Sequence, residues 1–126
     1  MLRSFRLFLV TLLLAGANAM AAGPAYDQSR FDALLQEGKP VLVFVHADWC
    51  PICKAQDPLL TEVLQMPEMK PLTLLQVDFD KQKNALKNLK ATMQSTLIVY
   101  KGGKEVGRST GETRKEPIVA LLRQAL

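Results

Sequence analysis

Five consecutive apolar residues, Val41-Leu42-Val43-Phe44-Val45, constrain this chain more than any other feature. β-branched and aromatic side chains suit a strand, and a run without polar alternation leaves no face fit for water. A central strand covered on both sides is the prediction, and a sheet built around it needs helices on each face. The sequence supplies them. Ser29–Gly38 reads as a short helix, with Phe31, Leu34 and Leu35 at i, i+3, i+4 spacing and Gly38 as its stop. Cys50 to about Gln65 reads as a longer helix carrying Leu59, Leu60, Val63 and Leu64, with Pro58 placed to kink it. Asn84–Lys90 is a short polar helix, and Thr113–Leu126 closes the chain with Ile118, Leu121, Leu122 and Leu126 on one side. Leu72–Asp78 and Thr96–Tyr100 are further strands. Gly102-Gly103 makes a tight turn that folds Lys104–Ser109 back on the strand before it. Strand and helix alternate early and a hairpin comes late. The expectation is an α/β fold: one mixed sheet of about four strands, flanked by helices on both faces.

At 126 residues the chain has room for one such domain. Its start has a different character. Arg3 and Arg6 precede the apolar stretch Leu7–Ala17, and small residues follow, with Ala17-Asn18-Ala19 or Ala19-Met20-Ala21 as cleavage sites. That three-part pattern reads as a secretory signal peptide over residues 1–21, ahead of an exported domain over 22–126. The apolar stretch falls short of the roughly 18 residues that a membrane span requires. No cysteine lies nearby to be acylated. Arg3 and Arg6 also contribute to the formal charge of +4. Lys81, Lys83, Lys87 and Lys90 cluster at helical spacing without interleaved aromatic residues, which describes a solvated face and not a nucleic-acid surface.

The chemistry concentrates in Cys50-Pro51-Ile52-Cys53, which opens a helix directly after the buried strand. A thiolate, not a thiol, attacks a disulfide, and the unpaired N–H groups of a helix start stabilise negative charge there. On this reading Cys50 is an exposed nucleophile of low pKa, and Cys53, one turn further in, resolves the mixed disulfide. Pro51 suits the first turn because its missing N–H has no intrahelical partner to lose. Other readings of the pair are weaker. A structural disulfide closing so small a ring restrains little of the unfolded chain. Structural zinc needs four ligands, and beyond Cys50 and Cys53 the only imidazole is His46. Haem attachment would need His after the second cysteine, where Lys54 stands. No cofactor or metal is called for.

Ala47-Asp48-Trp49-Cys50-Pro51-Ile52-Cys53-Lys54 resembles the active-site segment of the thioredoxin family, and the likeness runs through nearly all of residues 22–126. Pro58 matches the family's helix kink, Asp80 its Asp after the next strand, and Gly103 and Gly111 its hairpin turn and late glycine. The resemblance implies a thioredoxin fold and thiol-disulfide exchange. It also implies client contact or tuning of the dithiol by Trp49, Pro51, Ile52, His46, Gln94 and Ser95, the last two in the loop facing the dithiol.

Departures from the pattern are informative. Pro51-Ile52 replaces Gly-Pro. Phe44 stands where the family has a buried Asp thought to relay protons, and His46 replaces an aromatic residue. Ser95 stands where the family has a cis-proline. Because a cis bond before any other residue costs roughly 2.5–4 kcal/mol, a trans bond is expected there. Serine is then expected to leave its N–H free and its hydroxyl beside the cysteines, and Ser95→Pro to restore client turnover. His46 reads as a partly buried ring in an aromatic position, with tuning of the dithiol as the functional alternative. Asp48 reads as a solvated carboxylate.

The signal peptide and the Ala-Asp-Trp-Cys segment bring the chain nearest to exported thioredoxin-like proteins, the C-terminal domain of the membrane thiol transporter DsbD being one comparison. The functional expectation is a monomeric periplasmic oxidoreductase acting on disulfide-containing client proteins. Reductase is favoured over oxidase or isomerase because no His lies between the cysteines, and a membrane thiol electron donor is then required. A non-catalytic binding or assembly module is the alternative from another class.

Overall fold

The structure, a computed structural model, describes residues 23–126. The signal-peptide assignment over 1–21 lies outside the described residues. In chain order the elements are α1 (Gln28–Gln36), β1 (Val41–His46), α2 (Pro51–Leu64), a 3-10 turn (Pro67–Met69), β2 (Thr73–Asp78), α3 (Lys83–Leu89), β3 (Thr96–Lys101), β4 (Lys104–Thr110) and α4 (Lys115–Arg123). The four strands form one mixed sheet in the order β2-β1-β3-β4. β1 runs parallel to β2 and antiparallel to β3, and β4 returns antiparallel beside β3. Among the described residues, no helix is long and apolar enough to cross a membrane.

The unbroken apolar run does become the central strand, and its period of two divides the core. Leu42 and Phe44 join Leu60 and Val63 of α2 and Ile118 and Leu122 of α4 on one side. Val41, Val43 and Val45 join Phe31 of α1 and Leu86 and Leu89 of α3 on the other. All six β1 residues are buried. Each large side chain buried this way contributes on the order of 1.5–3 kcal/mol, so the layers are held mainly by this strand's neighbours.

Three local features depart from the sequence expectation. α1 begins earlier, because Asp27 caps it by accepting from the N–H groups of Ser29 (2.7 Å) and Arg30 (3.2 Å). A side-chain cap of this kind satisfies two donors that the first turn leaves open. α4 begins two residues later than Thr113. The third feature has no periodic signal at all. Residues 24–26 form a strap along β2: Ala25 bridges Gln76, the Tyr26 N–H donates to the Gln76 carbonyl (2.7 Å), and the Gln76 N–H donates to the Pro24 carbonyl (2.9 Å). At the opposite margin β4 is largely exposed, and its pairing with β3 shifts register between Val99 and Tyr100.

Candidate active site

The dithiol sits where β1 ends and α2 begins. Cys50 has extended backbone geometry and occupies the cap position of α2, with Pro51 as the first helical residue. Its Sγ accepts from the Cys53 N–H at 3.1 Å. A cap acceptor at this point satisfies one of the N–H groups that the first helical turn leaves open. The same contact corrects one expectation: Cys50 is not exposed but buried, at 1% relative accessibility. A sulfur that caps its own helix turns inward. What projects instead are its neighbours, Trp49 at 55% and Ile52 at 43%.

Cys53 is fully buried, and its thiol is pushed up to about 11. Burial is the larger cause, the hydrogen bond with the Cys50 sulfur the next, and the backbone of Ala47 and Ser95 pulls it part of the way back. The two sulfurs are therefore inequivalent in the direction that attack followed by resolution requires.

Trp49 is held by a hydrogen bond from its indole N–H to Asp80 (2.8 Å), and its ring lies edge-on to Phe79 at 6.4 Å between centroids. Asp80 lies just after β2 and holds the indole in place. The ring stays on the surface as an exposed apolar side chain. Met93, also exposed, lies just before the Ser95 loop.

That loop corrects two further expectations, the free N–H of Ser95 and the effect of proline there. The N–H of Ser95 is not free; it donates to the Val45 carbonyl at 2.8 Å. Its hydroxyl donates back to the Gln94 carbonyl at 2.5 Å. Ser95 adopts φ +59°, a left-handed conformation that non-glycine residues enter at a cost. Proline, fixed near −65° and lacking an N–H, cannot occupy this backbone. Ser95→Pro would therefore disrupt this backbone and not restore turnover. Among the described residues there is no cis peptide bond.

What holds the loop is a residue the sequence reading passed over. Gln56, in α2 one turn beyond Cys53, is fully buried. Its side-chain amide donates to the carbonyls of Ser95 (3.1 Å) and Glu112 (3.0 Å). The Ser95 carbonyl accepts a second bond from the Gly111 N–H (3.0 Å). One side chain thereby ties the dithiol helix to the loop facing it. The available signal was a Gln on the apolar stripe of an amphipathic helix, between Cys53 and Leu60.

His46 is buried at 8% and packs edge-on to Phe44, as an aromatic position implies. It is also more than that: its Nε2 lies 3.2 Å from Asp57 Oδ2. Asp48 is solvated as expected, with Oδ1 3.8 Å from His46 Nδ1. Gln94 is half-buried and contributes its carbonyl to Ser95. Pro51 is exposed on the first turn. Among the described residues no cluster of three or more His, Cys, Asp or Glu side chains is arranged to hold a metal ion.

Comparison with known proteins agrees with this geometry. The thioredoxin family model matches residues 24–124. The thioredoxin of Mycobacterium bovis is 35% identical over 98 residues, covering 78% of this chain and 81% of that one. A bifunctional thioredoxin reductase/thioredoxin of Mycobacterium leprae is 32% identical over 113 residues; the match covers 90% of this chain but 24% of that larger protein. The solved structure of Trxlp from Edwardsiella tarda superimposes with a TM-score of 0.77 at 42% identity, covering 80% of this chain and 98% of that one. With a four-stranded mixed sheet, a Cys-x-x-Cys at the start of α2 and these likenesses together, the chain belongs to the thioredoxin family of thiol-disulfide redox proteins.

Proposed function

We propose that this protein reduces disulfides of exported client proteins in the bacterial periplasm, as a monomer recharged by a membrane thiol carrier. The observation that carries the exchange chemistry is the inequivalence of the two sulfurs: Cys50 caps α2, while the Cys53 thiol is held near 11. Cys50 thiolate attacks one sulfur of the client disulfide, forming a mixed disulfide and releasing a client thiolate that takes up a proton. Cys53 then attacks Cys50 Sγ, the Cys50–client bond breaks, and the client leaves as its second thiol. Two electrons pass from the dithiol to the client. Trp49, Ile52 and Met93 supply an apolar rim against which an extended client segment packs.

Export rests on the leader pattern of residues 1–21. The reductive direction rests on Pro51-Ile52, a pair without the imidazole that would stabilise a reduced thiolate and make the disulfide a stronger oxidant. An oxidising compartment returns no electrons by itself, so a membrane donor completes the cycle.

Insulin reduction tests the activity. The wild-type chain turns over, and Cys50→Ser does not; equal rates for the two would leave a binding module as the better reading. Alkylation by iodoacetamide near neutral pH should modify Cys50 well ahead of Cys53. Equilibration against glutathione fixes the direction: a potential as oxidising as that of a dithiol oxidase would overturn the reductase assignment.

A further inference from the structure

The loop that leads into β3 faces the dithiol, since the backbone of Ser95 acts on the Cys53 thiol. A client cysteine that meets the dithiol brings its neighbouring residues up against residues 93–95. Such a loop can hold a client in two ways. Its main chain can pair with the client as an added strand, or side chains around it can pack on the client's side chains. An added strand takes up both the N–H and the C=O of residues it pairs with, and it needs them extended.

Residues 93–95 meet neither condition. Each of their carbonyls already accepts from a side chain of this protein: Met93 from the Thr96 hydroxyl (2.8 Å), Gln94 from the Ser95 hydroxyl (2.5 Å), Ser95 from the Gln56 amide (3.1 Å). The Ser95 carbonyl also accepts from the Gly111 N–H, and the Ser95 N–H is taken up by Val45. The donors are fixed in turn. Gln56, Ser95 and Thr96 are all buried. The Thr96 hydroxyl lies 3.0 Å from that of Thr110; its own hydrogen goes to Met93, so Thr110 donates to it. A client N–H competing for one of these carbonyls would strand a buried donor, which is costly. Conformation agrees. β3 begins only at Thr96, and Ser95 at φ +59° turns the chain out of extended geometry just before it. The side chains around the loop behave in the opposite way: Trp49, Ile52 and Met93 are apolar and exposed.

We propose that this protein recognises its clients through side chains and not through the main chain: it takes disulfides whose cysteines are flanked by apolar residues, and no backbone ladder forms between client and loop. This rests on the exchange reading above and deepens it. Ser95, Thr96 and Gln56 are positioning residues, which keep the carbonyls of residues 93–95 away from the client and hold Met93 at the rim. A client whose backbone cannot hydrogen-bond is then as good a substrate as one whose backbone can. A client with polar residues beside its cysteine is a poor one.

The test is reduction of three symmetrical peptide disulfides by the reduced protein, with free peptide thiol measured by chromatography. The first peptide has leucines on both sides of its single cysteine. In the second, the same sequence has esters in place of the neighbouring amides, which deletes the N–H groups and weakens the carbonyls without adding bulk. The third has serines in place of the leucines. Each second-order rate constant is divided by that of dithiothreitol with the same peptide, which removes differences in intrinsic reactivity. The ester peptide should react within about twofold of its parent, and the serine peptide at least about fivefold more slowly. In the double variant Ser95→Ala, Thr96→Val the carbonyls of Met93 and Gln94 come open, and the parent should pull ahead of its ester by about threefold or more. A ratio that stays at one there overturns the role given to the two hydroxyls. A wild-type protein that reduces the ester peptide about fivefold or more slowly than the parent overturns the proposal, as do equal rates for the leucine and serine peptides. Those comparisons need no variant to fold. If the wild type reduces neither the peptides nor insulin, the exchange reading itself falls, and the proposal with it.

Discussion

The two faces of the sheet are built to different rules. On the face covered by α1 and α3, Val41, Val43, Val45, Leu75, Val77 and Ile98 pack with the rings of Tyr26, Phe31 and Tyr100. Phe31 stands between the two tyrosines, 5.3 Å from one and 5.0 Å from the other. The face covered by α2 and α4 carries buried His46 and Gln56 beside its apolar residues, with half-buried Asp57 against His46. The buried side-chain acceptors without partners among the described residues, on Gln56, Asp57 and Gln76, belong to α2 and the strand surface beneath it. Polar groups left short of partners reduce stability. One face therefore supplies the rigidity, and the other spends some of it on chemistry.

The contrast breaks most visibly if the apolar face is hollowed. Ile98→Ala should cost about 2–5 kcal/mol through lost burial and a residual cavity, read as a lower denaturant midpoint with unchanged slope. Client turnover per folded molecule should stay at the wild-type value, because the dithiol lies on the other side. A specific loss of turnover would show that the faces are coupled.

Gln56→Ala probes the chemical face. It removes two buried hydrogen bonds, worth about 1–3 kcal/mol in all, and frees the Ser95 loop from α2. KM for a protein disulfide should rise several-fold while reaction with a small disulfide stays unchanged, since only the extended client uses the loop. Equal effects on both substrates would reduce Gln56 to a packing residue.

Alkaline stability sharpens the comparison through protons. Below about pH 9 the Cys53 thiol keeps its proton whether the chain is folded or not. Above that the unfolded chain releases it, while the folded chain holds it until about 11. The reduced protein should therefore lose stability as pH rises through this interval. The oxidised protein has no such proton and should show only the later loss from Tyr26 and Tyr100, both raised from 10.0 to about 12 mainly by burial. Denaturant midpoints for the two redox forms at pH 8, 9.5 and 11 check this; parallel curves would mean an untuned dithiol.

The smallest effect belongs to the loop. Ser95→Gly relieves a left-handed conformation and should raise stability by up to about 1 kcal/mol, with Ser95→Pro shifting the thermal midpoint the other way. A fall with glycine would mean that the Ser95 hydroxyl contributes more than the backbone strain costs.

Much of the layer order was legible because it depends on period and continuity. Val41–Val45 could only be an interior strand, and a Cys-x-x-Cys at the start of the following helix could only sit at the strand's end. What escaped were contacts between residues distant in sequence. Gln56 meets Ser95 and Glu112 across the fold, and no local pattern announces a buried amide donating to two carbonyls. His46 stands out by its position, but nothing local in the sequence pairs it with Asp57, which only the packing of strand against helix brings to it. The burial of Cys50 was missed for a related reason: sequence places a cap residue but does not say that its sulfur is the capping atom.

The strap along β2 bears on the order in which the chain assembles. Residues 24–26 pair with Gln76, on the far side of α2, so this margin cannot close until β2 has been laid beside β1. A chain emerging from its N-terminal end must carry the segment unpaired while the middle of the domain forms. Once folded, the strap is tied at Gln76 and by the Gln82 side chain donating to the Tyr26 carbonyl, with few bonds to hold it. Such a margin is the last to zip and the first to fray, and amide exchange should be fastest there while β1 remains protected.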